Sequence, residues 1–181
     1  MPSSLSTLNR HEIMARIPSR GTNPELILRH ALWHRGFRYR VNDRHLPGSP
    51  DIVLPKYRTV VFVHGCFWHG HKNCKKSRKP KTNTVFWETK ISRNQERDQE
   101  VWRELESRGW SVVIVWECEI KKATIDSLCD RLEAEVKDAG EKHKELMAAR
   151  KKEKERRKLE WYSRKQKENL RCHYRNKAVY Q

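Results

Sequence analysis

Eleven consecutive residues, 64–74, hold His64, Cys66, Phe67, Trp68, His69, His71 and Cys74. A solvated loop has no use for so many aromatic and metal-capable groups. Two chemistries fit this set. Cys66, His71 and Cys74 are soft or borderline donors, and a fourth ligand would close a tetrahedral structural zinc site. Cys118 is the best fourth: it follows the run Val112-Val113-Ile114-Val115-Trp116 and so stands at a strand end. On spacing alone, His69 and His71 can exchange places in this set. The second chemistry is proton transfer, which suits two histidines, His64 and His69, beside a carboxylate. Asp51 is the candidate carboxylate. Its plain alternative is to close the turn made by Leu46-Pro47-Gly48-Ser49-Pro50.

These residues need elements to hold them. Ile52-Val53-Leu54 is a short apolar run, Pro55 to Arg58 reads as a turn, and Thr59-Val60-Val61-Phe62-Val63 reads as a strand buried on both faces. If the two runs form a hairpin, Asp51 lies beside the Val63–His64 end, and a hard divalent ion would sit on its carboxylate and a backbone carbonyl. Upstream, a helix starts near Asn23-Pro24-Glu25, with Asn23 as N-cap or Thr22 and Glu25 as a capping box. Glu25 suits that first turn structurally. Gly36 ends the helix, and the alternation of Phe37, Tyr39 and Val41 with arginines predicts a half-buried strand.

Downstream, residues 75–81 form a basic loop next to Phe86 and Trp87, a surface for phosphates and stacked bases. Residues 88–108 follow a helical pattern whose apolar stripe is interrupted by Asn94, Arg97 and Asp98; Gly109 ends it. The apolar run that follows predicts a central strand. Ile125, Leu128, Cys129, Leu132 and Val136 have helical spacing and pack on the core. Beyond Gly140 the composition turns charged and predicts an exposed helix or a disordered basic tail.

The chain has 181 residues, enough for one domain and an appendage. Its net charge of +17 favours a polyanionic partner, most simply nucleic acid. Residues 121–181 carry 19 Lys and Arg against 11 Asp and Glu, so +8 lies there and +9 in the rest. The basic character therefore belongs to the core as well as the tail. No apolar run approaches membrane-spanning length and no secretory signal precedes the domain, which predicts a cytoplasmic, nucleoid-associated protein without a membrane partner. Five Cys, an odd number, argue for metal binding over a disulfide framework. The arm at 1–22 places Ile13, Met14 and Ile17 among Arg10, His11, Arg16 and Arg20, a frayed helix or a DNA-contacting arm.

Several separated motifs together resemble the very short patch repair (Vsr) endonuclease family. They are Gly48-Ser49-Pro50-Asp51-Ile52-Val53-Leu54, then Phe62-Val63-His64-Gly65-Cys66-Phe67-Trp68-His69-Gly70-His71, then Arg93-Asn94-Gln95-Glu96-Arg97-Asp98, and Gly109-Trp110 with Val115-Trp116-Glu117-Cys118. The likeness spans roughly residues 10–120, outside the tail. It implies an α/β, restriction-endonuclease-like core, a central mixed β-sheet flanked by helices, over residues 23–139, to which the charged composition adds a basic extension at 140–181. It implies nicking of double-stranded DNA 5′ to the mispaired T of a T:G mismatch left by deamination of 5-methylcytosine.

By position, the resemblance implies Mg²⁺ on Asp51 and the main-chain carbonyl of Val63. His69 would be the general base, supported by His64 and Glu25. Cys66, His71, Cys74 and Cys118 would hold structural Zn²⁺. Phe67, Trp68 and Trp87 would wedge into the duplex, joined by Met14 from the arm, with Lys90 and Asn94 also at the DNA. A monomer is expected, working with mismatch-repair proteins and a cognate cytosine methyltransferase. Residue 63 is Val where the family can have Thr, a change a backbone ligand tolerates. The gap from His71 to Cys74 varies in the family. Two other readings are a sequence-specific nicking or homing-type nuclease and a non-enzymatic zinc-stabilised DNA-binding module.

Overall fold

The structure is a computed structural model that describes residues 20–178, with side chains as far as residue 167. Met14 and nearly all of the predicted arm lie outside the described residues. The first helix, α1 (Asn23–His34), begins after Thr22, whose backbone N–H donates to Glu25 Oε1 at 3.3 Å, the carboxylate half of a capping box. Thr22 is thus the N-cap and Asn23 the first helical residue, a correction to the Asn23 alternative. The predicted strand at 37–41 reduces to one antiparallel bridge, Arg40 to Val53. Phe37 is buried and its neighbours are not, so the alternation reports packing without a ladder.

The hairpin forms as expected. Strand β1 (Ile52–Leu54) pairs antiparallel with β2 (Thr59–His64), with Ile52 opposite Val61. The tight connection needs Arg58 in the left-handed region at φ 53°. Helix α2 (Thr84–Ser107) then crosses to β3 (Ser111–Trp116), which runs parallel to β2 with His64 opposite Trp116. The mixed sheet has the order β1-β2-β3, so β2 is central and β3 is an edge strand among the described residues. This corrects the expectation that β3 is central.

Strand alternation divides the sheet between two cores. Ile52, Leu54, Val61, Val113 and Val115 pack with Leu28 and Leu32 of α1 and with Leu128, Cys129, Leu132 and Val136 of the last helix, α3 (Ile125–Ala178). Val53, Val60 and Phe62 face the other way and pack with Leu105 of α2. The result is an α/β arrangement of helices on both faces of a mixed sheet.

Residues 20–140 and 141–178 are separate compact units, although α3 runs through both. In the second unit the helical alternative for the tail is the one observed, and its described side chains are nearly all exposed. No helix among the described residues is long and apolar enough to cross a membrane.

Candidate active site and metal centre

The site gathers at the C-terminal end of β2. Asp51 stands just before β1, and its Oδ2 accepts a 2.8 Å hydrogen bond from the backbone N–H of Val63. Groups along a strand point alternately to its two neighbours. The carbonyl of His64 turns to the β3 side, where Glu117 N–H donates to it at 3.0 Å. The N–H and C=O of Val63 therefore both face the opposite side, where β1 has ended and Asp51 stands. A carboxylate and a carbonyl edge are hard oxygen donors of the kind Mg²⁺ takes. Burial pushes the Asp51 carboxyl up to about 6, against the Val63 hydrogen bond, and the nearby charge of Glu25 adds to the rise. A carboxylate this poorly solvated is stabilised by a cation.

Glu25 is itself buried and saturated. It accepts from Gly21 N at 3.0 Å, from Thr22 Oγ1 at 2.7 Å and from Arg29 Nη2 at 2.8 Å. The same Arg29 nitrogen donates to the carbonyl oxygen of Asp51 at 3.1 Å. Glu25 therefore reaches the site through Arg29, which holds the backbone that carries Asp51.

His64 and His69 stack with ring centroids 3.8 Å apart. Burial, then the neighbouring His69, push His64 down to about 4, so its ring is neutral near pH 7. His64 Nδ1 is buried without a protein hydrogen-bond partner. His69 Nδ1 lies 2.5 Å from Asp98 Oδ2, which assigns Nδ1 as the protonated nitrogen and Nε2 as the acceptor. Sequence reasoning gave Asp98 no role. Its signal was there, an acid interrupting the apolar stripe of α2, but such a residue ordinarily faces water, and its partner lies 29 positions away.

The ligand atoms of Cys66, His71, Cys74 and Cys118 all lie within 4.8 Å of one another. His71 Nδ1 is 3.4 Å from both Cys66 Sγ and Cys118 Sγ. Tetrahedral zinc with bonds of about 2.0–2.3 Å would separate such donors by roughly 3.5–4 Å, so this donor set fits the metal. His71 lies with the three sulfurs, whereas His69 lies against Asp98. His71 is held by stacking on Trp116 at 4.1 Å, and burial pushes the Cys66 thiol up to about 12. Metal binding would have to displace that proton.

Between the two clusters sits Gly70, at φ +63°. A Cβ there would lie 2.6 Å from Gln95 Nε2 and 2.9 Å from Ile91 Cγ2, so the loop presses directly on α2. Gln95 Nε2 donates to His69 O at 3.0 Å and Asn94 Nδ2 to Trp68 O at 2.9 Å. One donor of Asn94, a residue expected at DNA, goes to the loop. Phe67, Trp68 and Trp87 form an edge-to-face cluster with centroids 5.2–6.2 Å apart. Lys90 Nζ lies 5.2 Å from the Trp68 ring. Phe67 is buried against Trp68 and Trp87, while Phe86, a residue of the expected stacking surface, is 56% exposed.

The family described as DNA mismatch endonuclease Vsr matches residues 4–76. The "Type II nicking enzyme V.NmeAIP" of Neisseria meningitidis serogroup A is 50% identical over 140 residues, which cover 77% of this chain and 99% of that relative. The "DNA mismatch endonuclease Vsr" of Escherichia coli is 44% identical over 127 residues, covering 68% and 81%. The "Type II nicking enzyme V.XorIIP" of Xanthomonas oryzae pv. oryzae is 43% identical over 120 residues, covering 66% and 88%. Identity at this level over most of each relative's length shows the family: the chain belongs to the Vsr DNA mismatch endonuclease family and is a DNA endonuclease.

Proposed function

We propose that this endonuclease nicks one strand of double-stranded DNA 5′ to the mispaired T of a T:G mismatch, as the first step of very short patch repair. The observation that carries the reading is the meeting of Asp51, His64, His69 and Asp98 at one strand end, beside an aromatic cluster crowned by Lys90. Asp51 and the Val63 carbonyl would hold Mg²⁺, which when bound neutralises charge developing on the phosphate. His69 Nε2 takes a proton from water as the water oxygen bonds to phosphorus. The phosphorus–oxygen bond to the leaving sugar breaks, and that oxygen is protonated from solvent. Asp98 holds His69 in the acceptor tautomer and stabilises the imidazolium. His64 stays neutral and adds no charge against that cation.

Trp68 and Trp87, backed by Phe67, would enter the stack at the mismatch, where unstacking costs least. Lys90 would meet phosphates, and Met14 would act from the arm at 1–22. Zn²⁺ on Cys66, His71, Cys74 and Cys118 would fix the loop that carries both wedge and base. Residues 23–139 would form a restriction-endonuclease-like core, and 140–181 a basic extension.

A second reading, cleavage set by sequence context in matched DNA, is favoured by the relatives named nicking enzymes. Incubation with Mg²⁺ and labelled duplexes differing only in T:G or C:G at one position separates the two, with Asp51→Ala as control. A nick confined to the T:G duplex and lost in the variant is the expected result. Equal cutting of both duplexes overturns the mismatch reading.

A further inference from the structure

We infer that the extension, residues 141–167 of α3, is a second duplex-DNA-binding element that grips the phosphate backbone. The relative that is matched over 99% of its length covers 77% of this chain. The extension's charge is sorted by face. With 3.6 residues per turn, Arg150, Lys154, Arg157, Lys158, Trp161 and Arg164 fall within an arc of about 120°. The five acids of the segment, Glu141, Glu145, Glu153, Glu155 and Glu160, all fall outside that arc.

The ion pairs reinforce the division. Arg156, off the basic arc, binds Glu153 and Glu160 at 2.8 Å each and compensates the acids nearest to it. The five cations of the arc line a depression around Trp161, which is 52% exposed, together with Glu153 and Glu160, the two acids that Arg156 pairs. An aromatic ring amid five cations is the pairing that meets phosphates and sugar or base faces together. Arg150 to Arg164 spans about 21 Å of helix, against one duplex charge per roughly 1.7 Å.

A second copy of the helix is a poor occupant. Residues 150–158 contain no apolar side chain, so no continuous seam exists for a coiled coil. Charge complementarity selects a polyanion, and the substrate of this endonuclease is one. The inference rests on DNA as substrate and is independent of the mismatch reading, because a fully matched duplex tests it.

The test compares the full chain with a variant carrying R150Q, K154Q, R157Q, K158Q and R164Q, matched for helical content by circular dichroism. Binding to a matched duplex of about 30 base pairs is followed by anisotropy without Mg²⁺, from about 50 to about 200 mM salt. Loss of five phosphate contacts makes the slope of log K against log salt shallower by about 4.5. Trp161→Ala weakens binding several-fold at an unchanged slope. An unchanged slope and affinity in the five-fold variant overturns the inference, as does a loss seen on RNA but not on duplex DNA.

Discussion

In the proposed mechanism His69 would act as a base only while Asp98 keeps the proton on Nδ1, and the 2.5 Å contact would make the two a unit. Asp98→Asn lets an amide donor face Nδ1 and turn the tautomer around. The expected loss of nicking is about 10²–10⁴-fold, the range for general-base catalysis, with DNA affinity unchanged. Because the pair acts as a unit, Asp98→Asn with His69→Ala should cost no more than His69→Ala alone. Single-turnover kinetics check this, and losses that multiply would refute the unit.

Asp51 gives a pH prediction of defined sign. Its carboxyl titrates near 6 in the fold, above the ordinary carboxylate range, because burial penalises its charge. The unfolded chain ionises first, so metal-free protein loses stability from this group as pH rises through about 4 to 6. Asp51→Asn removes that penalty. It should raise Tm at about pH 7.5 and do so much less at about pH 4.5, as paired thermal melts would reveal. Asp51 was legible as a candidate because the hairpin was legible. Asp98 was not, since nothing local distinguishes a helical acid facing a histidine from one facing water.

At the scale of elements, the loop between β2 and α2 is positioned by contact with α2, and Gly70 is where the two touch. Gly70→Ala meets both a positive φ and side chains at 2.6 and 2.9 Å, whereas Gly36→Ala, at φ +85°, meets open space. The first should cost about 2–3 kcal/mol and the second about 1 kcal/mol, measured by denaturant unfolding. Nicking by Gly70→Ala should fall further than its stability explains, because His69 is the next residue. Equal costs would mean that the loop is not seated on α2. The β-branched run of β2 announced its own burial on both faces. The edge position of β3 was hidden for a physical reason: apolar patterning reports which faces are covered, and β3 buries Val113 and Val115 on one face and half-buries Val112 and Ile114 on the other. Whether another strand hydrogen-bonds to its outer side leaves no mark in that pattern.

Across the whole molecule, two candidate metal sites do different jobs and should be separable. Of residues 65–83, only Cys66 and Phe67 are buried, so neither hydrophobic core runs through this stretch. Zinc would supply what the cores do not, tying the loop to Cys118 just past the end of β3. Its removal should therefore cause local rather than global unfolding. A strong zinc chelator, or Cys118→Ser, should raise amide exchange across 65–83 and abolish nicking even with Mg²⁺ restored. The β2 and β3 amides should stay protected, because Val60, Val61 and Val115 lie in cores that contain none of the four zinc-ligand candidates. Withholding Mg²⁺ alone should stop nicking and leave exchange in 65–83 unchanged. If chelation exposes the sheet as well, the zinc loop is part of the folding core. If chelation changes neither exchange nor activity, the four-ligand cluster does not hold a metal that the site depends on.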